Sequence, residues 1–136
     1  MSLPRDRPTV GPMTTTEQST KETVRRFFAA FAADDAATLE GLVTPGFVTH
    51  ALPSDLPSDI TGLTQLAATM HAGLDDCRVE IHDLVGEGDR VAVRFTVRAA
   101  RDGEPVTMTG MEFYRLVDGR VAEMWGEYDM SGLGDG

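Results

Sequence analysis

The sequence predicts an α+β domain in which three N-terminal helices precede a cone-shaped, curved sheet of mixed or antiparallel strands and enclose a pocket with it. Two observations lead to this fold class. Apolar residues recur with the period of a helix in the first half of the chain and alternate with the period of a strand in the second half. Short turns that contain glycine separate the alternating segments, which favours neighbouring antiparallel strands.

A helical pattern begins at Glu17, and Thr20 stands where the N-cap of the first helix would be. Its apolar stripe has helical spacing and consists of Val24, Phe27, Phe28 and Phe31. Residues 1–16 hold three prolines and a threonine run, so we expect a disordered or extended leader there, with Met13 as an alternative start. A single domain is then expected over residues 17–136.

Two further helices and a short strand complete the first half. Asp34 and Asp35 are candidates to cap a helix over 36–43, which Pro45 and Gly46 would end. A short strand is expected at 47–50, followed by a proline-rich loop. A third helix is predicted after Gly62, with one apolar side formed by Leu63, Leu66, Ala67 and Met70.

Four antiparallel strands are predicted in the second half. The first two alternate around the turn at 87–89, with apolar sets Cys77, Val79, Ile81 and Val91, Val93, Phe95, Val97. A turn at 101–103 leads to a third strand over about 105–117, and a turn at 118–119 leads to the last strand, 121–129. Arg90, Arg94 and Arg98 share one face, which we expect to be an outer face that is paired with acids or packed in a dimer.

Charge and composition narrow the classes of partner. The net charge of -10 makes nucleic acid an unfavourable partner, and no apolar run approaches the length of a membrane span. The single cysteine, Cys77, cannot form an internal disulfide, so a cytoplasmic location is expected. No two histidines have metal-ligand spacing and no cysteine pair exists, so no metal site is predicted.

Four stretches in this order and spacing resemble the SnoaL-like polyketide cyclase family of the nuclear transport factor 2-like superfamily, which has a cystatin-like α+β barrel. They are residues 24–50, Gly62 at the third helix, DDCRVEIHDLVGEGDRVAVRFTVRA (75–99) and GMEFYRLVDGRVAEMWGEYD (110–129). The resemblance implies a cofactor-free intramolecular aldol condensation on a small hydrophobic, polyketide-like substrate. It also implies a homodimer through the outer face of the sheet.

The resemblance places the general acid/base at Asp129, near the end of the last strand, and a polar assistant at His50. Simple alternation from Val121 would turn Glu123, Trp125, Glu127 and Asp129 into the pocket, although a bulge could reverse this parity. Glu123 is expected to meet an arginine of a neighbouring strand. The expected substrate-binding residues are Trp125, Phe28, Phe31, Met70, Met111, Phe113 and Glu127.

Two other functions stay open at this point. The first is a non-catalytic ligand-binding or dimerisation module, which a filled cavity and a solvated Asp129 would favour. The second is epoxide hydrolysis, which needs an Asp, Arg, Asp relay in which Arg98 or Arg115 reaches Asp129. A ketosteroid isomerase is less favoured, because the resemblance to it requires a tyrosine on the first helix and the two tyrosines here lie on late strands.

Overall fold

The fold is taken from a computed structural model that describes residues 7–133, with side-chain surroundings from 18 to 132. The helices are α1 (Arg7–Ala32), α2 (Ala36–Gly41) and α3 (Ile60–Gly73), and the strands are β1 (Val43–Thr49), β2 (Asp75–Glu87), β3 (Arg90–Arg101), β4 (Glu104–Val117) and β5 (Arg120–Asp129). A 3-10 helix, Ser131–Leu133, follows β5. The predicted α+β fold, with three helices in the N-terminal half and a curved sheet, is therefore confirmed.

The five strands form one mixed sheet in the order β1-β5-β4-β3-β2. β1 runs parallel to β5, and the other neighbours are antiparallel. The three predicted hairpin turns hold Gly88, Gly103 and Gly119, all with positive φ. Because glycine adopts this conformation without the steric cost of a Cβ atom, the turns fix the register of the meander.

Helix α1 begins at Arg7, ten residues before the predicted start, so the expectation of a non-helical leader is wrong for residues 7–16. Pro8 lies in the first turn, where an N–H has no intrahelical partner and its absence costs nothing. Thr20 is buried inside the helix and is not its N-cap. Residues 1–6 lie outside the described part of the chain.

The segment between α2 and α3 also differs from the sequence prediction. α2 ends at Gly41, and Pro45 and Gly46 lie within β1. Val43 pairs with Val121 and Val48 with Glu123, so β1 bulges between these pairs and accommodates the proline. Helix α3 starts two residues before Gly62, because the Asp59 side chain accepts hydrogen bonds from the amides of Thr61 and Gly62 and so caps it.

A second bulge decides which side chains of β5 face inward. Leu116 pairs with Val121 and Arg115 pairs with Glu123, so Ala122 is an extra residue on β5. From this point onward the parity of the strand is reversed. The structure therefore points Met124 and Tyr128 inward and sends Glu123, Trp125, Glu127 and Asp129 to the outer face, against the prediction from simple alternation.

The hydrophobic core lies between α1 and the inner face of the sheet. Val91, Val93, Phe95 and Val97 of β3 are buried there against Val24, Phe27 and Phe28 of α1. On the outer face, the guanidinium groups of Arg94 and Arg98 lie 2.7 Å from Asp83 and 3.1 Å from Glu80. The predicted pairing of this arginine row with acids is confirmed. No helix among the described residues is both long and apolar enough to cross a membrane.

Candidate functional site

A cavity of about 400 Å³ lies between the inner face of the sheet and helices α1 and α3. This volume is in the usual range for small-molecule sites. Most of its wall is aromatic, aliphatic or thioether side chain, including Phe28, Phe31, Met70, Phe95, Met108 and Met124. Its opening is marked by lining residues that are also exposed, among them Pro53, Thr69 and Met130. The interior is therefore not filled by side chains.

Among the residues that the structure describes, one carboxylic acid belongs to this apolar wall, Glu112 of β4. The Tyr114 hydroxyl donates a hydrogen bond to Glu112 Oε1, and the Tyr128 hydroxyl donates to Oε2 over 2.5 Å. Burial raises the pKa of Glu112 above its ordinary value of 4.5, and the two tyrosine hydrogen bonds oppose this rise. Glu112 thus has the environment of a proton-transfer group.

The residue as a whole keeps some exposure because its side chain borders the cavity, whereas its carboxyl group is deeply enclosed. The two tyrosines differ in how deeply they are buried. Tyr114 is 0% exposed and packs edge-on against Phe27, with ring centroids 5.6 Å apart. Tyr128 is only partly buried, and both rings contribute to the cavity wall. Burial raises the pKa of both phenols, so both are neutral hydroxyl donors at ordinary pH.

Two glycines make room for Tyr128. Gly126 is the cross-strand partner of Glu112, and Gly110 is the partner of Tyr128. A Cβ atom on Gly126 would lie 2.3 Å from the Tyr128 hydroxyl oxygen, and one on Gly110 would lie 2.7 Å from the ring. The Tyr128 ring therefore lies flat across both glycines, and this orientation brings its hydroxyl to Glu112.

Comparison with known protein families identifies the family of the chain. A SnoaL-like domain model matches residues 24–124, which are 101 of the 136 residues. The chain belongs to the SnoaL-like family. The resemblance stated from the sequence is therefore confirmed. No curated protein matches the sequence.

Solved structures agree with the SnoaL-like fold. A candidate polyketide cyclase from Bacillus cereus ATCC 10987 is 23% identical with a TM-score of 0.79, over 85% of this chain and 77% of that one. Wild-type IdmH from Streptomyces antibioticus, a candidate polyketide cyclase, is 26% identical with a TM-score of 0.74, over 83% and 94%. An M. tuberculosis LEH-like epoxide hydrolase is 16% identical with a TM-score of 0.69, over 85% of this chain and 86% of that one, and shows the fold alone.

Asp129, which the sequence predicted as the acid/base of this SnoaL-like domain, does not face the cavity. Its carboxylate is exposed and accepts hydrogen bonds from the amide and the hydroxyl of Ser131, at 3.0 and 2.7 Å. The Ser131 hydroxyl, followed by its amide, lowers the pKa of Asp129 below its ordinary value. The reversal of parity at Ala122 explains this placement. The prediction that Asp129 faces the pocket as its acid/base is wrong.

His50 also lies outside the cavity. Its Nε2 atom is 2.8 Å from Glu123 Oε2, and its ring stacks on Trp125 with centroids 5.3 Å apart. The other oxygen of Glu123 accepts from Arg115 at 3.1 Å, which confirms the predicted pair with a neighbouring-strand arginine. The hydrogen bond from His50 and then those from Arg115 lower the pKa of Glu123. These side chains form a polar cluster on the outer face.

The predicted substrate-binding residues divide between the two faces. Phe28, Phe31 and Met70 line the cavity. The other four, Trp125, Met111, Phe113 and Glu127, line a shallow groove of about 480 Å³ on the outer face, and predicting them in the cavity was wrong. The bulge at Ala122 explains the outward placement of Trp125 and Glu127. Met111 and Phe113 point outward because they alternate on β4 with buried Tyr114.

The relay required for epoxide hydrolysis is not formed by the arginines proposed for it. Arg98 pairs with Glu80 and Arg115 with Glu123, both on the outer face. Neither guanidinium group makes a described contact with Asp129. Among the described residues, no group of three or more His, Cys, Asp or Glu side chains has the geometry to hold a metal ion.

Sequence reasoning missed Glu112, although two signals pointed toward it. Gly110 and Gly126 interrupt strands that are otherwise rich in bulky residues, and glycine inside a strand often marks a close approach by another group. Tyr114 and Leu116 are buried at alternate positions of β4, and continuing that alternation backward turns Glu112 inward. The prediction of Met111 and Phe113 as pocket residues required the opposite alternation on β4.

Proposed function

We propose that the chain is a SnoaL-like cyclase-type enzyme that moves a proton on a small, apolar carbonyl compound without a cofactor, with Glu112 as the general acid/base. The leading reaction is an intramolecular aldol condensation of a polyketide-like substrate. The observation that carries this proposal is the placement of a single carboxyl group, with a raised pKa, in the wall of an apolar cavity.

The reaction balances with Glu112 alone. The carboxylate takes a proton from the carbon beside a substrate carbonyl, and the C–H electrons form an enolate. The enolate carbon attacks a second carbonyl in the same molecule, so that one C–C bond forms and the attacked C=O becomes an alkoxide. The alkoxide then takes the proton from Glu112, which returns to its ionised form.

The cavity contributes positioning. The apolar wall can hold a flexible substrate in a folded conformation with its reacting carbons close together. The conformational entropy is then lost when the substrate binds, so it no longer adds to the barrier of the chemical step. Such positioning contributes roughly 7 kcal/mol or more in well-oriented intramolecular reactions. Because a proton between two carbonyl groups is already acidic, one acid/base and a fitted cavity are sufficient for this chemistry.

The test compares carboxylate-to-amide variants of Glu112 and Asp129. Glu112 pairs with Gly126, three residues before Asp129 on β5. Glu112→Gln should lower turnover of a poly-β-ketone ester by about 10²- to 10⁴-fold, the usual contribution of a general acid/base. Asp129→Asn should leave turnover unchanged, because its side chain is exposed and held by Ser131. Equal loss in both variants, or full activity in Glu112→Gln, would remove Glu112 from the mechanism.

A ligand-binding module without catalysis is the second candidate, and the exposure of Asp129 favours it. In that case the cavity still takes an apolar ligand, but Glu112 serves as a hydrogen-bonding anchor. Saturable binding to the wild-type protein, with no proton exchange at the carbon beside a ligand carbonyl in D₂O, would support this function over the cyclase.

We also propose that the outer face forms an isologous homodimer. Met111 and Phe113 expose 60% and 40% of their surface there, beside Trp125 and Val85. Sedimentation should give a dimer for the wild-type chain and a monomer for Phe113→Glu, because the new charge would be buried without a partner. Ala68→Glu on the exposed side of α3 is the control and should remain dimeric. A monomeric wild-type protein would contradict this proposal.

A reducing cytoplasm is the location we propose, on the single free thiol of Cys77. With a net charge of -10, neither nucleic acid nor an anionic membrane surface is proposed as a partner. The partners proposed are the small hydrophobic ligand and the second copy of the chain.

A further inference from the structure

We propose that Tyr128 changes its hydrogen-bond partner during the reaction: it donates to ionised Glu112 before proton transfer and to the enolate oxygen of a neutral ketone after it. This inference rests on the proposed function of Glu112 as the base. It adds a second residue that touches the substrate and names the group that the site recognises, an uncharged ketone oxygen placed beside the Tyr128 hydroxyl.

The two tyrosines are not equivalent in their freedom to turn. Tyr114 is fully buried in the core, and its hydroxyl has Glu112 Oε1 as its described hydrogen-bond partner. Tyr128 donates to Oε2 from the side of the cavity, where its ring is part of the wall. Rotation about its C–O bond therefore moves the hydroxyl hydrogen between the Glu112 carboxylate and the cavity.

The protonation state of Glu112 determines when this rotation is favourable. An ionised carboxylate only accepts hydrogen bonds, so both tyrosines donate to it. When Glu112 takes a proton on Oε2, it becomes a donor at the oxygen next to Tyr128. The new O–H donates to the phenol oxygen of Tyr128, and the phenol hydrogen is released toward the cavity. Tyr114 keeps donating to Oε1 in both states.

This exchange stabilises the transition state more than the ground state. The hydrogen bond to the substrate oxygen becomes available as the proton leaves carbon, which is when negative charge develops on that oxygen. Interactions that strengthen in this way raise the rate rather than the affinity. No additional acid is needed, because the proton removed from the substrate is the one that redirects Tyr128.

The cavity wall defines the class of ligand. Within residues 18–132, the polar members of the lining beyond Glu112 and the tyrosines are Thr69, Cys77 and Arg101, and Arg101 has a contact of its own. A ligand carboxylate beside Glu112 would place two like charges in an apolar surrounding, which is strongly unfavourable. A neutral, flat ketone with apolar rings matches both the aromatic wall and the Tyr128 hydroxyl beside Glu112.

The decisive experiment measures binding rather than turnover, with 2-tetralone as the probe at alkaline pH. Glu112→Gln imitates the protonated state, because its amide accepts from Tyr114 and donates to the Tyr128 oxygen. We expect 2-tetralone to bind about five-fold more tightly to Glu112→Gln than to the wild-type protein, the gain expected from one neutral hydrogen bond. The infrared carbonyl band of bound 2-tetralone should move to lower frequency in this variant.

The double variant Glu112→Gln, Tyr128→Phe should lose both the gain in affinity and the shift of the carbonyl band. Asp129→Asn is the matched control and should bind 2-tetralone as the wild-type protein does. Equal affinity in Glu112→Gln and the wild type, a gain that persists without the Tyr128 hydroxyl, or no binding to either protein would each overturn the proposal.

Proton exchange separates this inference from the proposed function. Exchange of the 2-tetralone α-protons in D₂O by the wild type, and its loss in Glu112→Gln, tests the base alone. Tyr128→Phe should lower kcat for exchange by about 100-fold and change KM by less than about three-fold. Unchanged kcat in Tyr128→Phe with an inactive Glu112→Gln would leave the base in place and overturn the role of Tyr128.

Discussion

Gly126→Ala should displace the Tyr128 hydroxyl from Glu112 while leaving the rest of the fold in place. The added methyl group would lie 2.3 Å from the Tyr128 hydroxyl oxygen, 2.7 Å from its Cζ atom and 3.2 Å from the Ala51 Cβ atom. The first two atoms belong to the far end of a side chain that can rotate away. The backbone of β5 therefore stays, and the tyrosine moves.

The expected loss of stability in Gly126→Ala comes from the hydrogen bond that this movement breaks. The hydrogen bond between Tyr128 and Glu112 is lost, and an enclosed carboxyl oxygen is left without that donor. Hydrogen bonds to charged groups contribute roughly 1.5–3 kcal/mol, so the free energy of unfolding should fall by about 2 kcal/mol. Loss of this bond also removes one of the two contacts that oppose the rise in the Glu112 pKa, so that pKa should rise further.

Urea denaturation monitored by Trp125 fluorescence measures the stability change. Gly46→Ala is the matched control, because its Cβ atom would meet nothing within 4 Å, and its stability should stay within about 1 kcal/mol of the wild type. In the Tyr128→Phe background, Gly126→Ala should lower the free energy of unfolding by less, since the Tyr128 hydroxyl oxygen is then absent. A Gly126→Ala protein as stable as the wild type would refute the close approach.

Two further predictions concern stability. Gly62→Ala should lower the free energy of unfolding by about 3 kcal/mol, because its Cβ atom would lie 1.8 Å from the carbonyl oxygen of Pro57, a backbone atom that cannot rotate away; thermal unfolding at or above the wild-type midpoint would contradict this. Glu112 should make stability fall with rising pH: its unfolded carboxyl ionises near 4.5 and the native one only at higher pH, so the native state holds more protons between these values and loses stability across that window. Denaturation curves at several pH values should show that Glu112→Gln lacks this component, and equal pH dependence in both proteins would be the contrary result.

The fold was predictable from the sequence because its signals are local and repeated. Alternation of Val91, Val93, Phe95 and Val97 fixes the inner face of β3, and turns at Gly88, Gly103 and Gly119 fix the order of the strands. The extension of α1 to Arg7 was less predictable, because its proline-containing sequence has a weak intrinsic preference for helix.

The candidate site was not predictable to the same extent, because one extra residue changes every position after it. Alternation from Val121 gives the correct face for that residue and the wrong face for Trp125 and Asp129. The bulge at Ala122 has no clear signature in the sequence, since both Val121 and Ala122 are apolar and both are buried. A shift of one residue thus exchanged the inner and outer faces of β5.

The pairing of Glu112 with two tyrosines is a tertiary property. Tyr114 is two residues away on the same strand, but Tyr128 comes from the neighbouring strand and reaches Glu112 only because its ring lies across Gly110 and Gly126. Strand register, glycine placement and side-chain direction must all be known before this contact is visible. The sequence contains all of the residues but not their joint geometry.

Direct titration of the Glu112 carboxyl group tests the central claim most closely. Carbon-13 NMR of side-chain-labelled glutamate, with Glu112→Gln identifying the resonance, gives its pKa in the folded protein. We predict a midpoint above 4.5 that rises further in Tyr128→Phe, because burial raises the pKa of Glu112 and the Tyr128 hydrogen bond opposes this rise. A midpoint at or below 4.5 would show a solvated carboxylate and contradict its role as the acid/base of the cavity.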